Sequence, residues 1–393
     1  MVVTKDRLFT PRFFLMCGFS FTVFLSAFQL FPTAPFHIRD LGGSTFAAGL
    51  FLAFLTFASA VSAPFTGALA DRVGLRRTLV TSGLAITLFS VGYAVLTDYR
   101  FMLGLTVLHG LFWSGLLTAS AAYMTGILPP SRRAEGISYW GLSSVVAMAV
   151  GPTLGFWLYH ISWAAMCAGM GLLNLTMALI AWRLPDERAH APQADGPRTS
   201  PLVEWRVLVL SGTLLLYSYS YGAITSFAAM YAEASGVTPR GIYLTVVGLA
   251  IILTRPFLGR IADRVGYLRL FLPCLALISA GLLVLVAGGT RMWQVSSALL
   301  FGAGYGTAYP VYAAYLLNRV SATRRGAAFG ALIAAFDTGI GAGSLMTGWI
   351  AGAFGYRPAF AAAAALSALA IPYFLSVRHV LPEMEASPAP KLH

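Results

Sequence analysis

The chain has 393 residues, of which 58% are hydrophobic and only 10% charged, with a mean hydropathy of +0.75. A soluble domain carries roughly 25% charged residues, so this chain has too little polar surface to cover a water-soluble globule of its size. The net charge of +12 does not indicate nucleic acid, because the basic residues lie in short clusters between apolar runs.

A helix needs about 20 apolar residues to cross about 30 Å of hydrocarbon, and lipid leaves no backbone polar group unsatisfied. In chain order, stretches meeting that demand lie near 13–36, 46–69, 78–97, 101–128, 137–159 and 163–182. A second set lies near 205–232, 241–262, 268–287, 292–318, 327–353 and 358–377. Lys5, Arg7 and Arg12 ahead of the first run resemble a signal peptide. That run lacks a convincing cleavage site and reads as a retained span. Between the two sets, residues 183–204 carry Pro185, Pro192, Pro197 and Pro201 among charged residues, the composition of a solvated linker. The expected fold is an all-α membrane protein of twelve transmembrane helices in two pseudo-symmetric six-helix bundles, 1–182 and 205–393, the second with a short tail. Cys17, Cys167 and Cys274 are far apart in apolar segments and read as reduced packing residues, with no disulfide or metal role.

Lys and Arg collect on the cytoplasmic side of a membrane. With the N-terminus inside, the internal segments hold 20 of the 26 basic residues, and the external loops hold only Arg39, Arg100, Arg240, Arg291 and Arg357. Both termini and the linker are therefore expected on the cytoplasmic side of a bacterial-type inner membrane.

The pentapeptide Ala-Asp-Arg-Val-Gly stands at 70–74 and again at 262–266, an offset of 192 residues. Its frame repeats at the same offset: Pro64 with Pro256, Gly67 with Gly259, Arg77 with Arg269. Two related halves in a membrane protein usually mean a transporter with its path between them. Gly67 lets two helices approach closely, Gly74 permits a tight reversal, and Asp71 at a helix end can meet the positive N-terminus of a neighbour. The basic side chains of Arg72, Arg76 and Arg77 hold the loop inside.

The segment Gly67-Ala-Leu-Ala-Asp71-Arg72-Val-Gly74-Leu-Arg76-Arg77 closely resembles the loop 2–3 signature of the major facilitator superfamily, and Gly259, Asp263, Arg264 and Gly266 stand in its weaker loop 8–9 counterpart. The resemblance implies a latch across the cytoplasmic gate, with Asp71 and Arg72 as its working residues. In span 5, Gly151-Pro152-Thr-Leu-Gly155 resembles the Gly-Pro-x-x-Gly element of drug and metabolite antiporters, although Phe156 stands where the fuller pattern has another glycine. Pro152 removes a backbone bond and kinks the helix, while Gly151 and Gly155 give a small packing face. Span 11, the counterpart, has Gly339, Gly341, Gly343 and Gly348 without the proline. Span 4 lacks the arginine of many such antiporters, so their proton relay does not carry over. Similarity around Arg255-Pro256 and His109-Gly110 points to the sugar- and drug-efflux branch.

Ionisable groups inside a span are costly and usually functional. Of fourteen acids only Asp337 lies well inside one, about 15 Å deep at 1.5 Å per residue. Stripping a carboxyl of water disfavours its charged form, which suits a group that loads and releases a proton. A polar packing contact is the bland alternative. Arg255 in span 8 can pair with Asp337, grip an anionic substrate or snorkel to the surface, and His109 in span 4 titrates in a useful range yet can equally be a packing residue. Tyr217 and Tyr221 share one face of span 7, and Tyr305, Tyr309 and Tyr312 one face of span 10. The superfamily fold implies that spans 1, 4, 7 and 10 surround the cavity. With Gln29 and Trp113 added, that cavity would be aromatic and amphipathic, suited to a moderately apolar organic compound.

The expected function is proton-coupled efflux by alternating access, with a small-molecule substrate, the bilayer as surroundings, no cofactor beyond the coupling proton, and a monomer as the working unit. A proton-coupled nutrient importer is the alternative, and a non-transporting sensor or assembly partner ranks below both. An enzyme is not expected, since no nucleotide-binding glycine loop or metal-ligand cluster is present.

Overall fold

The structure, a computed structural model, describes residues 7–186, 205–317, 319–320 and 325–380. Those residues form twelve α-helices and no strand: α1 (Pro11–Asp40), α2 (Thr45–Val73), α3 (Leu75–Val95), α4 (Tyr99–Ile127), α5 (Arg133–Ile161), α6 (Trp163–Arg183), α7 (Trp205–Ala234), α8 (Ile242–Val265), α9 (Tyr267–Ala287), α10 (Arg291–Leu317), α11 (Arg325–Phe354) and α12 (Tyr356–Val377). The helices run 21 to 30 residues, and nine are long and apolar enough among the described residues to cross a membrane. The linker expected at 183–204 falls outside the described residues from 187 onward.

Local chemistry sets the starts. Thr10, Ser44, Asp98 and Ser162 each accept a hydrogen bond from a backbone N–H of the following turn, at 2.8–3.2 Å. Such caps are worth about 1 kcal/mol apiece. The α2–α3 and α8–α9 reversals turn on single glycines, Gly74 at φ 103° and Gly266 at φ 89°. An L side chain rarely adopts that conformation, which explains why the repeated motif ends in glycine in both halves.

The two halves pack by the same rule. In the first, α1 lies on α5 and α6, α2 on α4, and α3 on α4 and α6. The second repeats every pairing, with α7 on α11 and α12, α8 on α10, and α9 on α10 and α12. Inside the second bundle α7 and α11 meet so closely that a Cβ at Gly222 would strike the Ile340 carbonyl, and one at Gly343 the Tyr219 carbonyl. Overpacking a tight core costs about 1–3 kcal/mol. Gly222→Ala is therefore expected to lower the thermal midpoint of the purified protein, while Gly104→Ala, at a position with nothing within 4 Å, leaves it unchanged.

Candidate functional site

Two seams join the bundles, α2 against α11 and α5 against α8. On the first, a Cβ at Gly49 would lie 2.5 Å from the Ser344 carbonyl, Thr56 abuts Gly341, and the Ser59 hydroxyl donates to Asp337 Oδ2 at 2.9 Å. On the second, Gly241 abuts Pro152, Thr153 and Thr245 share a hydrogen bond at 2.8 Å, and a Cβ at Gly248 would lie 2.5 Å from Ala149 Cα. The offset of 192 residues superposes these contacts: Gly49 with Gly241, Ser344 with Pro152, Thr56 with Gly248, Gly341 with Ala149. The seams are thus related by the repeat, and they differ most in their ionisable chemistry. Where the first has Ser59 and Asp337, the second has Ile251 and Val145.

Asp337 is 9% exposed. Ser59, Tyr221, Tyr305 and Met148 all stand about 20 Å along their helices, at 1.5 Å per residue, from the end of the molecule that carries Asp40. The ring of Phe336, adjacent to Asp337 in sequence, packs 6.3 Å from the Tyr305 ring. Tyr221 stacks on Tyr305 at 4.5 Å, and Tyr305 on Phe301 at 5.4 Å. The Tyr221 hydroxyl crosses to the other bundle, 3.1 Å from Met148 Sδ. Phe336 packs on Tyr309 at 4.9 Å, next in sequence to Asp337. The arrangement is a carboxyl and its hydroxyl donor beside a stack of rings, all where the bundles meet.

Toward the end that carries Arg72 the seams part. On α11 nothing approaches a Cβ at Gly330 within 4 Å, although it shares the face of Asp337 seven residues on. Toward the opposite end the bundles are shut. There the Arg240 guanidinium, paired with Glu233 at 2.5 Å, lies 5.2 Å above the Phe36 ring of the other bundle. Beside it Tyr159 donates to Asp40. The asymmetry makes this state open at one end only.

The expected cavity lining needs three corrections. Gln29 is fully buried within the first bundle, its backbone against Gly155 and its side-chain oxygen near Gly169. Tyr312 is buried within the second bundle, donating to the Leu210 carbonyl at 2.5 Å and packing on Phe271 and Phe374. Tyr217 is also fully buried, edge-on to Phe271 and Tyr305, behind the stack rather than in it. Periodicity groups residues by helix face, and a wide helix face touches both a bundle core and the space between bundles. Trp113 leans on Phe24 and Phe31 of α1. Of the tyrosines, Tyr221, Tyr305 and Tyr309 stand with Asp337.

His109 sits apart from this group, its Nδ1 3.1 Å from the Tyr93 hydroxyl and its ring among Phe89, Tyr93 and Trp113. It lines a cavity of about 10 Å³ inside the first bundle with Ser26 and Asn174, room for about one water. Arg255 does not pair with Asp337; its guanidinium rests on Gly141 of α5, with Nη2 3.3 Å from where a Cβ would stand. Gly151 and Gly155 face α1, while Pro152 faces Gly241 across the seam, so the antiporter-like element joins three helices. At the latch, Gly67 packs near Thr118 of α4, Asp71, Arg72 and Arg77 are exposed, and no side chain caps the start of α3. The side chains of Asp263 and Arg264, and residue Gly259 beyond its helical backbone, lie outside the described residues. Ser59, Met148, Phe336 and Gly141 carried no individual signal in the sequence, since each is one of many such residues in the spans.

The family model of the Major Facilitator Superfamily matches residues 14–320 and 210–392. The MFS-type transporter YhhS of Escherichia coli K12 is 27% identical over 370 residues, 90% of this chain and 89% of the relative. An MFS-type transporter of Burkholderia mallei is 28% identical over 366 residues, with the same coverage. Among solved structures, the nucleoside transporter NupG superposes with a TM-score of 0.75 at 14% identity, covering 94% of this chain and all of that one. A bacterial homologue of the human lysosomal transporter Spinster superposes with a TM-score of 0.76 at 14% identity, covering 96% and 98%. With its twelve helices, repeated seams and loop signature, the chain belongs to the major facilitator superfamily of multi-pass membrane transporters.

Proposed function

We propose that this transporter exports a small, moderately apolar organic compound in exchange for protons, as a monomer in a bacterial cytoplasmic membrane with both termini inside. The observation that carries this reading is the buried carboxyl of Asp337 on a seam that must open and close. A rocking motion that parts the Asp40 end and closes the Arg72 end would give Asp337 access to one side of the membrane at a time. An acid in that place takes up a proton from one face and releases it to the other. With the bias of basic residues placing the Arg72 end inside, the state described here is open to the cytoplasm.

Export follows if substrate entering from the cytoplasm displaces the proton. The ring stack of Tyr221, Tyr305 and Phe301 offers the flat apolar contact such a compound needs. Tyr305→Ala is expected to weaken substrate binding about tenfold, on the scale of one lost aromatic contact, and also to lower the thermal midpoint because the ring is buried; Tyr305→Phe should keep both.

Direction is tested by counterflow from loaded right-side-out vesicles under opposite pH gradients. Exchange predicts that external acid accelerates exit of the compound and internal acid slows it. External acid that accelerates entry instead would establish the importing alternative, with the same acid serving symport.

A further inference from the structure

Arg255 breaks the symmetry of the seams in a second way. Its counterpart at the offset of 192 residues is Ala63, so the repeated architecture does not require a cation there. The side chain is half-buried, reaches across the seam to Gly141 and has no hydrogen bond or ion pair among the described residues. Desolvating a guanidinium without a counter-charge is expensive. Asp337 does not supply one, being held by Ser59 on the opposite seam. Next to Gly141, Trp140 Nε1 is also buried with no acceptor. Two donors at one level of α5 are thus missing acceptors.

Met148, which receives the Tyr221 hydroxyl, lies seven residues from Gly141 and so on the same face of α5, about 10 Å away. The ring stack and the guanidinium therefore flank one strip of α5, the guanidinium nearer the open end. We infer that the transported compound is an organic anion, its carboxylate held by Arg255 at the mouth of the seam and its aromatic or apolar body against Tyr221 and Tyr305. This rests on the transport reading given above and names the class of its substrate. Arg255 supplies planar, bidentate recognition, and Gly141 leaves the room in which the guanidinium lies.

The test uses the full-length protein in detergent with 4-phenylbutyrate and indole-3-butyrate, each beside its uncharged amide. The acids are expected to bind at least tenfold more tightly than the amides. Arg255→Gln should abolish that preference by weakening acid binding at least tenfold, and Arg255→Lys should keep part of it. Asp337→Asn should retain the preference while losing proton exchange, so failure of the proton reading and failure of this one are separable. Equal binding of acids and amides, a preference that survives Arg255→Gln, or no binding of either acid overturns the inference. So does an Arg255-dependent stabilisation by phosphatidylglycerol that the acids do not reproduce, which would make the guanidinium a lipid-headgroup site.

Discussion

Valine at Gly49 combined with valine at Gly248 is expected to close the Arg72 end and open the Asp40 end. Both glycines stand where a Cβ would come within 2.5 Å of the facing helix, one on each seam. In the rocking motion proposed above these contacts separate when the Asp40 end opens, so the added methyls are expected to penalise this state more than the opposite one. Overpacking costs about 1–3 kcal/mol per site, and about 1.4 kcal/mol is a tenfold change in population. A single cysteine introduced at Gly330, which has open space around it here, reports on the mouth. In inside-out vesicles its labelling by a membrane-impermeant maleimide should fall at least tenfold in the double variant. Unchanged labelling would mean that the seams do not separate as the protein works. Valine at one glycine alone should give an intermediate result, since each variant overpacks only one of the two seams.

Asp337→Asn is expected to abolish concentrative, pH-driven transport by at least a hundredfold while retaining downhill exchange. Asparagine keeps the size of the side chain and can still accept from Ser59, so the α2–α11 seam should still close. It cannot bind and release a proton. Substrate would then cross down its own gradient without coupling, which counterflow detects and gradient-driven uptake does not. Ser59→Ala removes the hydroxyl donor and leaves the acid in place, and should retain driven transport. If Asp337→Asn accumulates substrate as the parent does, the acid is a packing residue and coupling resides elsewhere. Transport lost in both modes, with the thermal midpoint intact, would mean instead that the carboxylate is needed for the motion itself.

Much of the architecture was legible because lipid imposes strong rules. Twelve apolar stretches of sufficient length and the pentapeptide at 70–74 and 262–266 pointed to two six-helix halves, and the helices and their repeated pairings follow that plan. Asp337 was visible for the same reason, as an acid deep in a span. Its partner was not, because nothing distinguishes Ser59 from Ser62 or Thr56 until α11 is laid against α2. The same limit produced the misplacements of Gln29, Tyr217 and Tyr312. A helix in this fold buries one side in its own bundle and another toward its partner bundle, and a period of 3.6 does not say which is which. Small residues carried the least readable information. Gly49 and Gly248 lie in glycine- and alanine-rich helices, and only the facing carbonyl of Ser344 and backbone of Ala149 mark them as seam positions. Arg255 was conspicuous in the sequence, but its lack of an acidic partner among the described residues became evident only when Gly141 was found beneath it.

Proton release on ligand binding tests the central claim most directly. The protein, purified in weakly buffered detergent with a pH dye, is given a compound that raises its thermal midpoint, parent beside Asp337→Asn. The account predicts net proton release on binding by the parent, at most one per bound compound, and none from the variant. Binding by the parent without release, or equal release from both proteins, would contradict it.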